Sequence, residues 1–80
     1  MQDLNQLRDQ IEAIDRKIVG LVADRLDLCR KVGHLKIAAG IPIRLPDRVQ
    51  LVTARWVGLA ADRRVDPDFV RRICELVIAE

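Results

Sequence analysis

The sequence predicts an all-α chain of three helices, one long, one short and one medium, that intertwines with a second copy of itself. Three observations lead there. From about Leu4 to about Ala38, apolar residues recur in two interleaved seven-residue series: Leu4, Ile11, Ile18 and Val32, and Leu7, Ile14, Leu21, Leu28 and Leu35. No window alternates with period two for long, and Leu, Ile and Val dominate a chain whose aromatics are Trp56 and Phe69 alone. Finally, a helix of about 35 residues is about 52 Å long, whereas a compact domain of this size is about 30 Å across. One copy cannot cover its own first helix, and a second copy is the simplest cover.

The first helix opens at Gln2 to Asn5, with Asp3 or Asn5 able to cap it. Asp9, Glu12 and Asp15 weight its first half and Arg30, Lys31 and Lys36 its second, which complements the helix dipole. Gly20 and Gly33 lie inside the run, each costing about 1 kcal/mol relative to Ala, and so mark close helix approach or room for a ligand. Ala38-Ala39-Gly40 ends the helix, and Pro42 forbids its continuation.

The loop from Gly40 to Leu45 delivers Pro46 to the first turn of helix two, with Asp47 beside it at the positive end of the dipole. Helix two runs to about Arg63, with Val49, Val52, Trp56, Leu59 and Ala60 on one face. Asp66 reads as the N-cap of helix three, Pro67 as its first residue, and Val65 with Val70 as a hydrophobic staple. Helix three runs from Pro67 to the chain end, with Phe69, Ile73, Leu76 and Val77 inward. There is no internal repeat, linker or low-complexity tract, so residues 1–80 read as a single small domain.

Composition narrows the function. Fourteen basic and 12 acidic residues leave a net charge of +2, which argues against a general polyanion binder and ranks nucleic acid last among partners. Eleven of the cations are Arg, a residue suited to fixed recognition of carboxylate or phosphate. Cys29 and Cys74 sit among apolar residues without metal spacing and read as small buried thiols. No Gly-rich phosphate loop, paired catalytic carboxylates or metal cluster is present. The polar, acidic N-terminus and the lack of an apolar run of membrane length predict a soluble cytoplasmic protein with no membrane partner.

One residue breaks the seam. Arg25 occupies the place in the first series between Ile18 and Val32, where an unpaired charge is costly, so something anionic should meet it. Lys36, 11 residues on, shares its face at about 16 Å. A buried ion pair with an acid such as Asp24 or Asp27 of a neighbouring helix is at least as well supported as a ligand site. Arg8 lies about 26 Å upstream and about 100° round the helix. It cannot join Arg25 and Lys36 at one small ligand within a chain, but could from an antiparallel partner. Arg44 and Arg48 are further candidates for the same groove, with a solvated reading about as good. Arg63, Arg64, Arg71 and Arg72 read as solvated surface, as does His34 on its helix.

These residues resemble a known family, the AroQ-type all-helical chorismate mutases. The resemblance is carried by Leu7-Arg8-Asp9-Gln10-Ile11 with Ile14-Asp15, Leu21-Val22-Ala23-Asp24-Arg25, Val32-Gly33-His34-Leu35-Lys36, Pro42, Arg48, and Asp66 opening helix three. It implies a domain-swapped homodimer with two active sites, each between chains, and a one-substrate pericyclic reaction that uses no nucleophile, metal or cofactor. Arg8 of one chain and Arg25 of the other would bind the two carboxylates of a small dicarboxylate substrate. Lys36 would reach the ether oxygen and a carboxylate, and Arg48 would line the pocket.

Three departures bear on the substrate. Typical members have a Glu where this chain has Val49, contacting the ring hydroxyl, and an acid near Leu45. The stretch Pro42 to Val52 is more similar to two offshoots, the 4-amino-4-deoxychorismate mutases and the isochorismate-pyruvate lyases. The family also continues helix three with a Ser and a Gln, the latter opposite Lys36, at positions beyond Glu80. That leaves either a longer native chain or a weaker catalyst. The expected activity is therefore rearrangement of chorismate or 4-amino-4-deoxychorismate, with an isochorismate-pyruvate lyase and a non-catalytic dimerisation or regulatory module as alternatives.

Overall fold

The computed structural model describes residues 3–42 and 45–78 and is all-helical over them. Helix α1 spans Leu4–Ala39, α2 Pro46–Asp62 and α3 Pro67–Val77. Local signals in the chain explain most of these bounds. Asp3 caps α1 through a reciprocal box: its Oδ1 accepts from the Gln6 backbone N–H at 2.8 Å, and Gln6 Oε1 accepts from the Asp3 N–H at 2.9 Å. Gly40 ends α1 in the left-handed region at φ 70°. That conformation lets the Ile41 N–H reach back to the Lys36 carbonyl at 2.8 Å and satisfy it. Gly40→Ala is expected to lower stability by about 1 kcal/mol, since a Cβ strains that backbone; a chemical-denaturation midpoint measures it.

Helix α2 begins with Pro46 at its first turn and ends without a glycine. Arg64 takes the left-handed conformation there, φ 57°, and the Val65 N–H closes on the Ala60 carbonyl at 2.9 Å. Asp66 caps α3 as expected, its Oδ2 accepting from the Phe69 N–H at 3.2 Å. The end of α3 differs from expectation. It stops at Val77, where Ile78 turns extended and its N–H bonds the Cys74 carbonyl at 2.8 Å. Ala79 and Glu80 lie outside the described residues, as do Gln2 and Arg44.

Helices α2 and α3 form an antiparallel hairpin whose core is Val52 and Cys74, both fully buried, with Ala60 and Val70 toward the turn. Thr53 Oγ1 lies 3.7 Å from Cys74 Sγ, fixing the register of the pair. Both cysteines are buried free thiols, as read. The inward face of α3 is Val70 and Cys74 instead of Phe69, Ile73 and Leu76; Leu76 is 85% exposed, and Leu59 of α2 also faces outward. The apolar arc of α3 is wider than the strip that its own α2 can cover.

Among the described residues the α1 backbone approaches this hairpin through α3 and not through α2. The seam residues are left open: Ile11 is 58%, Leu21 67% and Leu35 71% exposed. Gly20 and Gly33 do not serve a close approach within the chain, because a Cβ at either would meet nothing within 4 Å. The chain extends over 57 × 23 × 15 Å with a radius of gyration of 16.3 Å, well above the roughly 12 Å of a compact chain this long. Among the described residues no helix is long and apolar enough to cross a membrane.

Candidate active site

All three helices converge on Arg25. It is half-buried at the middle of α1, and its Nη1 donates to the Val77 carbonyl of α3 at 2.9 Å and to Cys29 Sγ, one turn on, at 3.3 Å. Its guanidinium carbon lies over the Trp56 ring of α2, 5.7 Å from the centroid, a distance at which the ring face attracts the cation. Ile18, Leu21, Val22, Ile73 and Val77 complete a cleft of about 400 Å³ around Arg25 and Trp56. A cation against an almost wholly apolar wall acts through a lower effective dielectric than one in bulk water, so it attracts an anion more strongly. Asp27, one of the acids weighed as a structural partner for Arg25, is paired with Arg30 of its own helix at 2.6 Å.

Lys36 sits in the last turn of α1 and is 9% exposed, the one buried charged residue among those described. It does not line the Arg25 cleft. Arg48 is exposed in the first turn of α2, beside a separate hollow formed with Leu45, Pro46, Asp47 and Leu51. Val49 opens instead onto a third hollow, between α2 and α3, with Gln50, Thr53, Val57 and Arg71. Arg8 is exposed near the start of α1, about 26 Å from Arg25 along the helix. Arg25, Arg48 and Val49 thus line three different hollows among the described residues, while Arg8 and Lys36 line none of these three. His34, Arg63, Arg64, Arg71 and Arg72 are solvent-exposed, as read. Among the described residues no cluster of His, Cys, Asp or Glu is arranged to hold a metal ion.

The family model described as chorismate mutase type II matches residues 7–80. The chain belongs to that family. Among relatives of the same kind, a 4-amino-4-deoxychorismate mutase from Streptomyces pristinaespiralis is 34% identical over 77 residues, 96% of this chain and 60% of the relative. The T-protein of Enterobacter agglomerans is 35% identical over 78 residues, 98% of this chain but 21% of its own length. A chorismate mutase from Methanocaldococcus jannaschii is 32% identical over 78 residues, 98% of this chain and 79% of the relative. The chain thus spans less than two thirds of the first two. The resemblance carried by the Arg8, Arg25 and Lys36 segments is borne out at the level of family.

As a chorismate mutase type II chain, it has two features around Arg25 that its sequence did not announce. Trp56 reads in sequence only as a member of the apolar face of α2, and Val77 only as an apolar residue of α3. The Cys29 contact had a local signal, since residues four apart on a helix are neighbours. The lone tryptophan opposite a lone seam arginine offered another, though nothing in the spacing between α1 and α2 says that the two meet.

Proposed function

We propose that this chain is a chorismate-mutase-type isomerase, rearranging chorismate or its 4-amino-4-deoxy analogue in a homodimer whose active sites are shared between chains. The observation that carries the reading is Arg25, a half-buried cation bonded to the Val77 carbonyl and set over Trp56 in an apolar cleft of a chain that belongs to this family. Chorismate is a dicarboxylate whose ether C–O bond breaks as a C–C bond forms within the same molecule. Electrons move round one ring of atoms and no proton is transferred. The protein then has two tasks: to hold the enolpyruvyl side chain over the ring, and to stabilise negative charge growing on the ether oxygen. Arg25 and Arg8 of the partner subunit hold the carboxylates, Lys36 faces the ether oxygen, and Arg48 closes the pocket. Val49 offers no carboxylate to a ring hydroxyl, which favours a substrate with a different ring substituent.

The length of α1 supports sharing. Its 36 residues make a rod of about 54 Å, with its apolar seam exposed along most of it. In a centred antiparallel pair of such rods, residue 8 of one stands opposite residue 35 of the other, because the helix bounds 4 and 39 sum to 43. Arg8 then falls beside Lys36, and a slide of a few residues moves it toward Arg25. The same pairing would cover the seam and exchange contacts between the two hairpins, as in a domain-swapped dimer.

Purified protein incubated separately with chorismate, 4-amino-4-deoxychorismate and isochorismate tests the reading. The expected result is loss of one of the first two without release of pyruvate, from a species of dimer mass in sedimentation equilibrium. Pyruvate release from isochorismate would replace it with the lyase reading, for which Val49 is equally suitable. No reaction with any of the three would leave a non-catalytic dimerisation module.

A further inference from the structure

We infer that Trp56 is a positioning residue for Arg25, drawing its guanidinium over the indole face in the orientation that presents N–H groups to the substrate carboxylate. The inference rests on the proposed activity. A guanidinium at the end of a long, flexible side chain has to be restrained in two ways before it can grip a carboxylate at a defined angle. Nη1 is bonded to the Val77 carbonyl and to Cys29 Sγ. The face of the Trp56 indole, 5.7 Å from the guanidinium carbon, adds an attraction that keeps the group over the ring.

These contacts come from different helices: Cys29 from α1, Trp56 from α2 and Val77 from α3. Among the described residues the backbones of α1 and α2 do not approach one another, so the indole is the connection between them at this point. Trp56 is only half-buried and lines the same cleft as Arg25. It is therefore placed to act on the site as well as to fill space. It forms part of the apolar wall on which a substrate ring would rest.

The test compares kcat and KM for Trp56→Phe and Trp56→Leu, each made in the wild type and in an Arg25→Lys background, on whichever substrate the wild type rearranges. Circular dichroism sets a temperature at which every variant is folded. Trp56→Leu is expected to lower kcat about 10- to 100-fold, the scale of a misplacement of about 1 Å, with a smaller change in KM. Trp56→Phe, which keeps a ring face, is expected to stay within about threefold of wild type. In the Arg25→Lys background the Leu substitution is expected to make little further difference, because two residues that act as one unit are not additive.

A Leu-for-Trp loss of equal size in both backgrounds, or none in either, overturns the inference while leaving the activity standing. A wild type that rearranges neither substrate overturns the activity and the inference together. The tryptophan also supplies a readout without turnover. Trp56 is the chain's one tryptophan and there is no tyrosine, so its emission is expected to change in Arg25→Met; unchanged emission counts against the contact itself.

Discussion

Arg25→Met is expected to lower kcat/KM by about 1,000-fold or more, equivalent to about 4 kcal/mol of transition-state stabilisation, while the protein remains folded. Two effects on stability oppose one another. The substitution removes the bond to the Val77 carbonyl, a loss of about 1 kcal/mol for one such bond to a partly exposed group. It also removes a half-buried charge from an apolar seam, and methionine can fill the cleft and place its sulfur against the Trp56 ring. A thermal melt and steady-state kinetics on the same preparation separate the roles. Near-wild-type activity with a large drop in melting temperature would make Arg25 a brace between α1 and the end of α3, and would remove the central element of the proposed site.

Mixing Arg8→Ala with Arg25→Ala chains is expected to restore about a quarter of wild-type activity after equilibration, although each variant alone is nearly inactive. In a mixed dimer with shared sites, one site pairs the intact Arg25 of one chain with the intact Arg8 of the other. Its second site carries both losses. Random exchange makes about half the dimers mixed, and each has one working site of two. If both arginines instead served a site within one chain, every site would carry one defect and mixing would recover nothing. The geometry of a single chain already disfavours that outcome, since α1 holds Arg8 and Arg25 about 26 Å apart on a rigid rod.

The helices were legible because their signals are local. The seam and the Asp3 and Gly40 caps bounded α1 to within a residue, from Leu4 to Ala39 against an expected Ala38. Pro46 and Pro67 opened the other two. The signals that failed were those a helix does not carry in itself. The face of α3 that turns inward is Val70 and Cys74, yet Phe69, Ile73 and Leu76 are the larger apolar residues. Periodicity identifies an apolar arc, but which part of it meets α2 depends on how the short turn at Arg63 and Arg64 sets the hairpin.

The candidate site divides in the same way. Arg25 could be picked out from sequence because a cation in a seven-residue apolar series is anomalous wherever the helix packs. Lys36, Arg8 and Arg48 entered as further candidates from their places on the helices, and the resemblance gave them roles; in the single chain Arg48 lines a different hollow from Arg25. Trp56 and the Val77 carbonyl, 31 and 52 residues from Arg25 in the chain, could be found only in three dimensions.

By itself the sequence determined three helices, their caps, an apolar seam too long for one chain to cover, and an arginine set within it. Each depends on spacing over a few residues, which the 3.6-residue helical turn converts directly into a face or an end. Tertiary structure alone decided what surrounds that arginine: a carbonyl from the end of α3, an indole from α2 and an apolar cleft between them. Those contacts depend on the angle and depth at which the hairpin meets α1. That is a property of packing between distant segments, and no local pattern encodes it.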